Sequence, residues 1–215
     1  MNKIIDLTHM INEQMITYPT PWHPKVSVER LGKIEDVGRN TRKISLGTHT
    51  GTHIDAPLHF IKNGKSIEKI PLDKIMGKVT IVDFSHFKKN HAIEKENLEK
   101  IKITKRMIFR FGWEKYWNKM EFYENHPFFT EDAANFLVSQ GVELLGYDTP
   151  SPDSSKPTND IDSPIHKILL GNEIILLEYL ANLNNLDNLE NWNIVVAPMK
   201  IEGSDGSPAR VFVFQ

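Results

Sequence analysis

Along the 215-residue chain, apolar residues recur in short bursts rather than long stripes. In the first third, "KIIDL" (3–7), "KVSVERLGKI" (25–34) and "TRKISLGTH" (41–49) combine β-branched residues with rough apolar–polar alternation. That period of two suits strands with one face on a core. "KVTIVDF" (78–84) is a compact apolar run between Gly77 and Ser85 and predicts a buried strand, and "RMIFRFG" (106–112) predicts another. "EKENLEKI" (94–101) predicts a short helix. "TEDAANFLVSQG" (130–141) predicts a clearer one, with Thr130 as N-cap, Glu131 and Asp132 in the first turn, helical spacing of Ala133, Phe136, Leu137 and Gln140, and Gly141 as the stop. "VELLGYD" (142–148), "NIVVAP" (193–198) and "ARVFVF" (209–214) complete the strands. Strands first, then strand–helix–strand units, then strands again describe an α/β domain with a mixed sheet.

Composition narrows the class. A length of 215 residues fits one domain, 1–215, large enough to bury a core without staples. The 40% hydrophobic and 25% charged fractions are those of an ordinary soluble globular protein. A net charge of -2 provides no basic field for nucleic acid or an anionic membrane. The lysines of 87–105 are interspersed with glutamates and read as a solvated helix face. With no cysteine, a disulfide scaffold, a thiolate metal site and a cysteine nucleophile are excluded. The start "MNKIIDLTHM" has no apolar core of a signal peptide, and "EIILLEYLANL" (173–183) is too short to span a bilayer and carries two glutamates, so a cytoplasmic protein is expected.

Chemistry concentrates in "THTGTHIDAPLH" (48–59). His49, His53, Asp55 and His59 lie at offsets 0, 4, 6 and 10, all even, so an extended chain would project them to one side. Gly51, Thr52 and Pro57 oppose a helix, and a strand end running into a tight loop is expected. Imidazole and carboxylate donors suit zinc, manganese and other first-row divalent ions. Three protein ligands from one segment leave positions open for water or substrate. A single histidine here would more often be a hydrogen-bonded loop residue; three with an aspartate, spaced by Gly and Pro, favour a metal.

Further donors must come from elsewhere. His86 and His91 sit beside lysines and read as exposed, His126 lies in a loop before Pro127, and His9 suits a structural place after the first strand. His166 follows "TPSPDSSKPTNDIDSP" (149–164), a loose stretch that reads as a surface or active-site loop. Glu178 is flanked by "IILL" and "YL", which implies burial. A buried carboxylate requires a metal ion, an arginine or a hydrogen-bonded partner.

The segment "HTGTHIDAPLH" (49–59) resembles the His-x-Gly-Thr-His-x-Asp-x-Pro-x-His motif of the cyclase family of metal-dependent hydrolases, which includes bacterial kynurenine formamidases and isatin hydrolases. "DLTH" (6–9), "FRFGW" (109–113), "LLGYDTPSPD" (144–153), "HKILLGNEIILLE" (166–178) and "IEGSDGSPARV" (201–211) extend the likeness over nearly the whole chain. The resemblance implies a cyclase-like α/β fold of the swivelling β/β/α type, with a central mixed β-sheet, surrounding helices, and homodimers or homotetramers. It implies that His49, His53 and Asp55 bind one metal, that Asp55 bridges to a second completed by His166 and Glu178, and that Glu178 also touches the first. Two zinc ions per subunit follow, with manganese as the alternative. His59 is implied to stay off the metals as proton donor and acceptor. Tyr18-Pro19 keeps part of an aromatic-Pro-Gly-Asp turn of the family, with Thr20-Pro21 in place of Gly-Asp; Tyr18 and nearby Trp22 are then the substrate-pocket aromatics. Tyr179 stands where Asn commonly follows the glutamate.

The reaction so implied is cleavage of a small-molecule amide by hydroxide formed at the metal, with N-formylkynurenine yielding kynurenine and formate. A cyclic amide such as isatin is the alternative substrate, and a non-catalytic metal-binding scaffold the alternative class. A serine hydrolase is disfavoured because no G-x-S-x-G occurs; "EGSDGSPAR" (202–210) reads as a Gly-rich turn before the last strand.

Overall fold

The computed structural model describes residues 3–156 and 162–215. Its strands are β1 (Ile4–Asp6), β2 (Ser27–Gly32), β3 (Thr41–Ser45), β4 (His53–Asp55), β5 (Met76–Asp83), β6 (Ala92–Ile93), β7 (Arg106–Arg110), β8 (Phe128–Phe129), β9 (Leu144–Tyr147), β10 (Ile175–Glu178), β11 (Trp192–Pro198) and β12 (Gly206–Phe214). Its α-helices are α1 (Ile34–Val37), α2 (Leu72–Ile75), α3 (Lys95–Leu98), α4 (Glu131–Ser139) and α5 (Pro164–Gly171). The expected strands fall on β1, β2, β3, β5, β7, β9, β11 and β12. The helix α4 carries its expected cap, Thr130 Oγ1 accepting from Ala133 N at 3.2 Å. The helix expected over 94–101 is shorter: only Leu98 of α3 is buried, so little packing extends the single turn closed by the Glu94–Asn97 capping box. Elements α5 and β10 come from "PIHKILLGNEIILLE" (164–178), where continuous apolarity does not separate helix from strand.

The central sheet departs from an open one. Its order is β1-β12-β11-β5-β7-β9-β10-β4, with β4 also pairing to β12, so seven strands from β12 round to β4 close into a mixed barrel and β1 lies outside on β12. β5, β7, β9 and β10 run parallel, and the remaining ladders are antiparallel. Closure removes the unpaired edges of a sheet. β4 has three residues and supplies the closing seam, antiparallel to β10 and to β12.

Side-chain alternation then separates two cores. Ile54, Val79, Ile81, Ile108, Leu144, Ile175, Leu177, Ile194, Val211 and Val213 form one cluster. It receives residues from all seven barrel strands and is the barrel interior. The intervening residues Met107, Phe109, Leu145, Tyr147 and Leu176 turn outward and join Ala133, Leu137, Leu169 and Leu170 of α4 and α5 in a second, more aromatic cluster. The hairpin β2–β3 stands apart as its own two-stranded sheet, with every residue of β3 exposed.

Candidate metal centre

The site lies on the outer wall of the barrel at the β4 seam. Ile54 points inward and is fully buried, so His53 and Asp55 point outward. Register places Glu178 opposite His53 on β10, and Gly206 opposite Asp55 on β12. His166 comes from α5, and His49 and His59 from the turns on either side of β4. All six line one cavity of about 650 Å³, together with Tyr18, Trp22, Phe60, Tyr179 and Asp205.

Of the four residues at even offsets, only His53 and Asp55 share an extended strand. Gly51, at φ 63, breaks the extension after His49. Pro57–His59 form a 3-10 turn beyond β4. His49 and His59 therefore meet by folding back, their rings stacked at 3.9 Å between centroids.

The donor atoms face one another without enough protons. His53 Nδ1 lies 2.7 Å from the Gly51 carbonyl, which only accepts, so the proton is on Nδ1 and Nε2 carries the lone pair. That Nε2 lies 3.3 Å from Asp55 Oδ1 and 3.4 Å from Glu178 Oε2, acceptor against acceptor. His53 Nε2 and Asp55 Oδ2 are buried with no hydrogen-bond partner among the described residues. His166 Nδ1 is 2.5 Å from Asp153 Oδ2, while its Nε2 faces Glu178 Oε1 at 3.4 Å and Asp55 Oδ2 at 3.6 Å. Among the described residues, two groups have ligand atoms mutually within 4.8 Å, His49–Asp55–His59 and His53–Asp55–Glu178, sharing Asp55. Crowded buried lone pairs of this kind fit a divalent cation.

The charge balance agrees. Burial works against a charged His49, but Asp55 and Asp205 overcome it and raise its pKa to about 10. Burial likewise opposes charge on His166, and hydrogen bonds to Asp153, Asp55 and Glu178 raise it well above the usual range. Asp55 is pushed up by desolvation but held well below the carboxylate range, chiefly by His49. Protons on His49 and His166 thus offset part of the carboxylate charge, and metal binding releases such protons.

Three polar residues complete the site that residue spacing did not single out. Asp153 accepts from Ile165 N at 2.7 Å and His166 N at 3.1 Å, tying the start of α5 as well as the imidazole. The Tyr147 hydroxyl donates to Glu178 Oε1 at 2.8 Å. Asp205 Oδ2 lies 2.8 Å from His49 Nε2 and 3.3 Å from His59 Nδ1. The only local signal for Asp205 was an acidic residue between two glycines just before a strand. The turn expected over 202–210 is shorter, because β12 already begins at Gly206. That glycine is required by close approach: a Cβ there would lie 2.5 Å from His49 Cε1.

Both expected pocket aromatics line the cavity, at its exposed mouth. Tyr18 is 41% exposed and stands edge-on to Tyr123 at 5.5 Å, and Trp22 is 81% exposed. Tyr179 forms the buried part, edge-on to His53 at 5.0 Å. It does so at φ 58, a costly conformation for a bulky residue. Part of the loose segment 149–164 lies outside the described residues; its described portion supplies Pro150, Ser151, Asp162 and Ser163 to the cavity lining. Of the remaining histidines, His86 is exposed and His91 is half-buried and stacked on Phe87. His9 stacks on Trp117 at 3.8 Å, and His126 is buried; desolvation lowers both to about 4.

A closed mixed barrel bearing a histidine–carboxylate cluster on its outer wall defines the class. The family model Cyclase ("Putative cyclase") matches residues 5–154, and the chain belongs to the cyclase family. A kynurenine formamidase of Bacillus thuringiensis subsp. konkukian (strain 97-27) is 31% identical over 215 residues, covering 97% of this chain and 96% of that protein. An isatin hydrolase bound to the product analogue thioisatinate has the same fold, with a TM-score of 0.88 at 21% identity over 100% of this chain and 92% of that one. A potential metal-dependent hydrolase with cyclase activity has a TM-score of 0.78 at 28% identity, covering 100% of this chain and 98% of that one. Among the described residues, no helix is long and apolar enough to cross a membrane.

Proposed function

We propose that residues 1–215 form one divalent-metal-dependent hydrolase domain that cleaves a C–N amide bond, with N-formylkynurenine as substrate and kynurenine and formate as products. The carrying observation is the convergence of His53 Nε2, Asp55 and Glu178 in a buried corner of an open cavity, with His53 Nε2 and Asp55 Oδ2 lacking hydrogen-bond partners among the described residues. Two donor groups sharing Asp55 support two ions; by the family resemblance His49, His53 and Asp55 would hold one, touched also by Glu178, and Asp55, His166 and Glu178 the other. The geometric grouping divides the histidines differently, putting His59 beside His49 and His53 beside Glu178. Zinc is the ion proposed, with manganese sharing the same donor chemistry. When bound, such an ion polarises a carbonyl oxygen and makes a nucleophile of water at neutral pH.

The chain's own residues do the rest. Asp153 and the Gly51 carbonyl fix the tautomers of His166 and His53, so each presents Nε2 to the centre. His59 carries a proton to the leaving nitrogen, a poor leaving group unless protonated. Tyr18, Trp22 and Phe60 give an aryl substrate flat apolar surfaces at the cavity mouth. Kynurenine formamidase relatives aligned end to end support the formamide. The protein is proposed to act as a homodimer or homotetramer.

Elemental analysis of the purified protein, coupled to turnover of N-formylkynurenine and isatin, tests this. Bound zinc or manganese with formate release supports it. Faster opening of isatin would move the substrate to cyclic amides, and full activity without divalent metal would rule out metal-dependent hydrolysis.

A further inference from the structure

The barrel seam brings one more carboxylate to the site. Ala56 N donates to the Asp205 carbonyl at 2.9 Å, which continues the β4–β12 ladder and pins the backbone of residue 205 beside the histidine–carboxylate cluster. Thr48 Oγ1 donates to Asp205 Oδ1 at 3.1 Å and fixes the plane of the carboxylate. The other oxygen, Oδ2, lies against both His49 Nε2 and His59 Nδ1. Those two rings are stacked, and His59 is partly open to the cavity, its side chain 28% exposed. A solvent-facing imidazole on a short turn has several rotamers and two tautomers available. Asp205 and the His49 ring between them restrict both.

We propose that Asp205 is a positioning residue for the proton shuttle. Its Oδ2 holds the proton of His59 on Nδ1 and leaves Nε2 as the nitrogen that exchanges a proton with substrate. This is the logic by which a third group orients the base of a nucleophile–base pair, applied here to a base that serves a metal centre. The proposal rests on the reading of His59 as the shuttle. Contact with His49 gives Asp205 a second duty, since a carboxylate behind a ligating histidine orients it. Gly206 makes room for that arrangement, because any side chain there would strike the His49 ring.

The test compares wild type, Asp205→Ala, Asp205→Asn, His59→Ala and the Asp205→Ala/His59→Ala double variant, all zinc-loaded with metal content matched by elemental analysis. Asp205→Ala should lower kcat about 10- to 100-fold with KM little changed. Asp205→Asn keeps an accepting oxygen and should recover part of the loss. The double variant should be no slower than His59→Ala, because the two residues act as one unit. Imidazole nitrogen NMR of the zinc-loaded protein should show His59 as a single Nδ1–H tautomer, and a mixture in Asp205→Ala. Should Asp205→Ala not fold, Thr48→Val, which frees the other carboxylate oxygen, should shift the same tautomer signal and lower kcat to a smaller degree. An unchanged kcat at matched metal, a loss that multiplies with that of His59→Ala, or an unaltered tautomer in the variants would overturn the proposal. If His59→Ala alone keeps full activity, the shuttle reading fails, and the tautomer measurement still decides whether Asp205 orients the ring.

Discussion

The two faces of β4 and β10 carry opposite chemistry. Ile54, Ile175 and Leu177 enter an aliphatic barrel interior. One residue away, His53, Asp55 and Glu178 enter a corner crowded with imidazoles and carboxylates. The inner face stabilises by removing apolar surface from water. The outer face gathers groups that are costly to bury and that only a cation or trapped protons reconcile. A strand with a side-chain period of two serves both purposes at once, so the packed interior aims the donor side chains without contributing one itself.

Breaking the outer face should have the largest effect. Asp55 belongs to both donor groups. Asp55→Ala should lose nearly all bound metal and turnover together, read by elemental analysis alongside formate release. Retention of stoichiometric metal would remove Asp55 from the centre. His59→Ala should leave metal content normal and lower turnover by about 10²- to 10⁴-fold, the usual contribution of a positioned proton donor. Loss of metal in that variant would instead make His59 a ligand, as its proximity to His49 and Asp55 allows.

Breaking the inner face should do the reverse. Ile54→Ala opens a cavity in the barrel and should cost about 2–5 kcal/mol in chemical unfolding. Metal bound per folded molecule should hardly change. Equal losses in both readouts would mean that the two faces are not separable.

The pH dependence of stability sharpens the contrast, because buried titratable groups lie outside the barrel. Desolvation lowers His126 from 6.5 to about 4. Its unfolded form therefore takes up a proton first, and stability falls as pH drops below about 6.5, levelling off near 4. From pH 7 to pH 5 the loss is about 2 kcal/mol. His126→Gln should remove that share of the slope in urea titrations; an identical slope in the variant would mean that His126 is not held neutral by burial. The smallest effect is expected at the cavity mouth. Tyr18→Ala should reduce kcat/KM for an aryl formamide by about 3- to 10-fold, the scale of one aromatic contact. No change would take Tyr18 out of substrate binding.

Most strands and the capped helix α4 were legible along the chain, because each is a local pattern: alternation, a bounded apolar run, or a Thr followed by acidic residues and a terminal Gly. The dense donor segment His49–His59 was legible too, since ligand-type residues so close together need no distant contact to be noticed. What local pattern could not supply was pairing between remote segments. β4 meets β12 across about 150 residues of chain, and only that seam turns an open mixed sheet into a barrel and carries Asp205 to His49 and His59. Tyr147 reaches Glu178, and Asp153 reaches His166, by the same kind of long-range placement. Trp22 shows the limit from the other side. The resemblance made it a substrate-pocket aromatic, and packing left the indole exposed at the cavity mouth. Composition and spacing determined which chemistry this chain carries. Barrel closure decided which side chains share it, because hydrogen-bonded register, unlike periodicity, is a property of two segments at once.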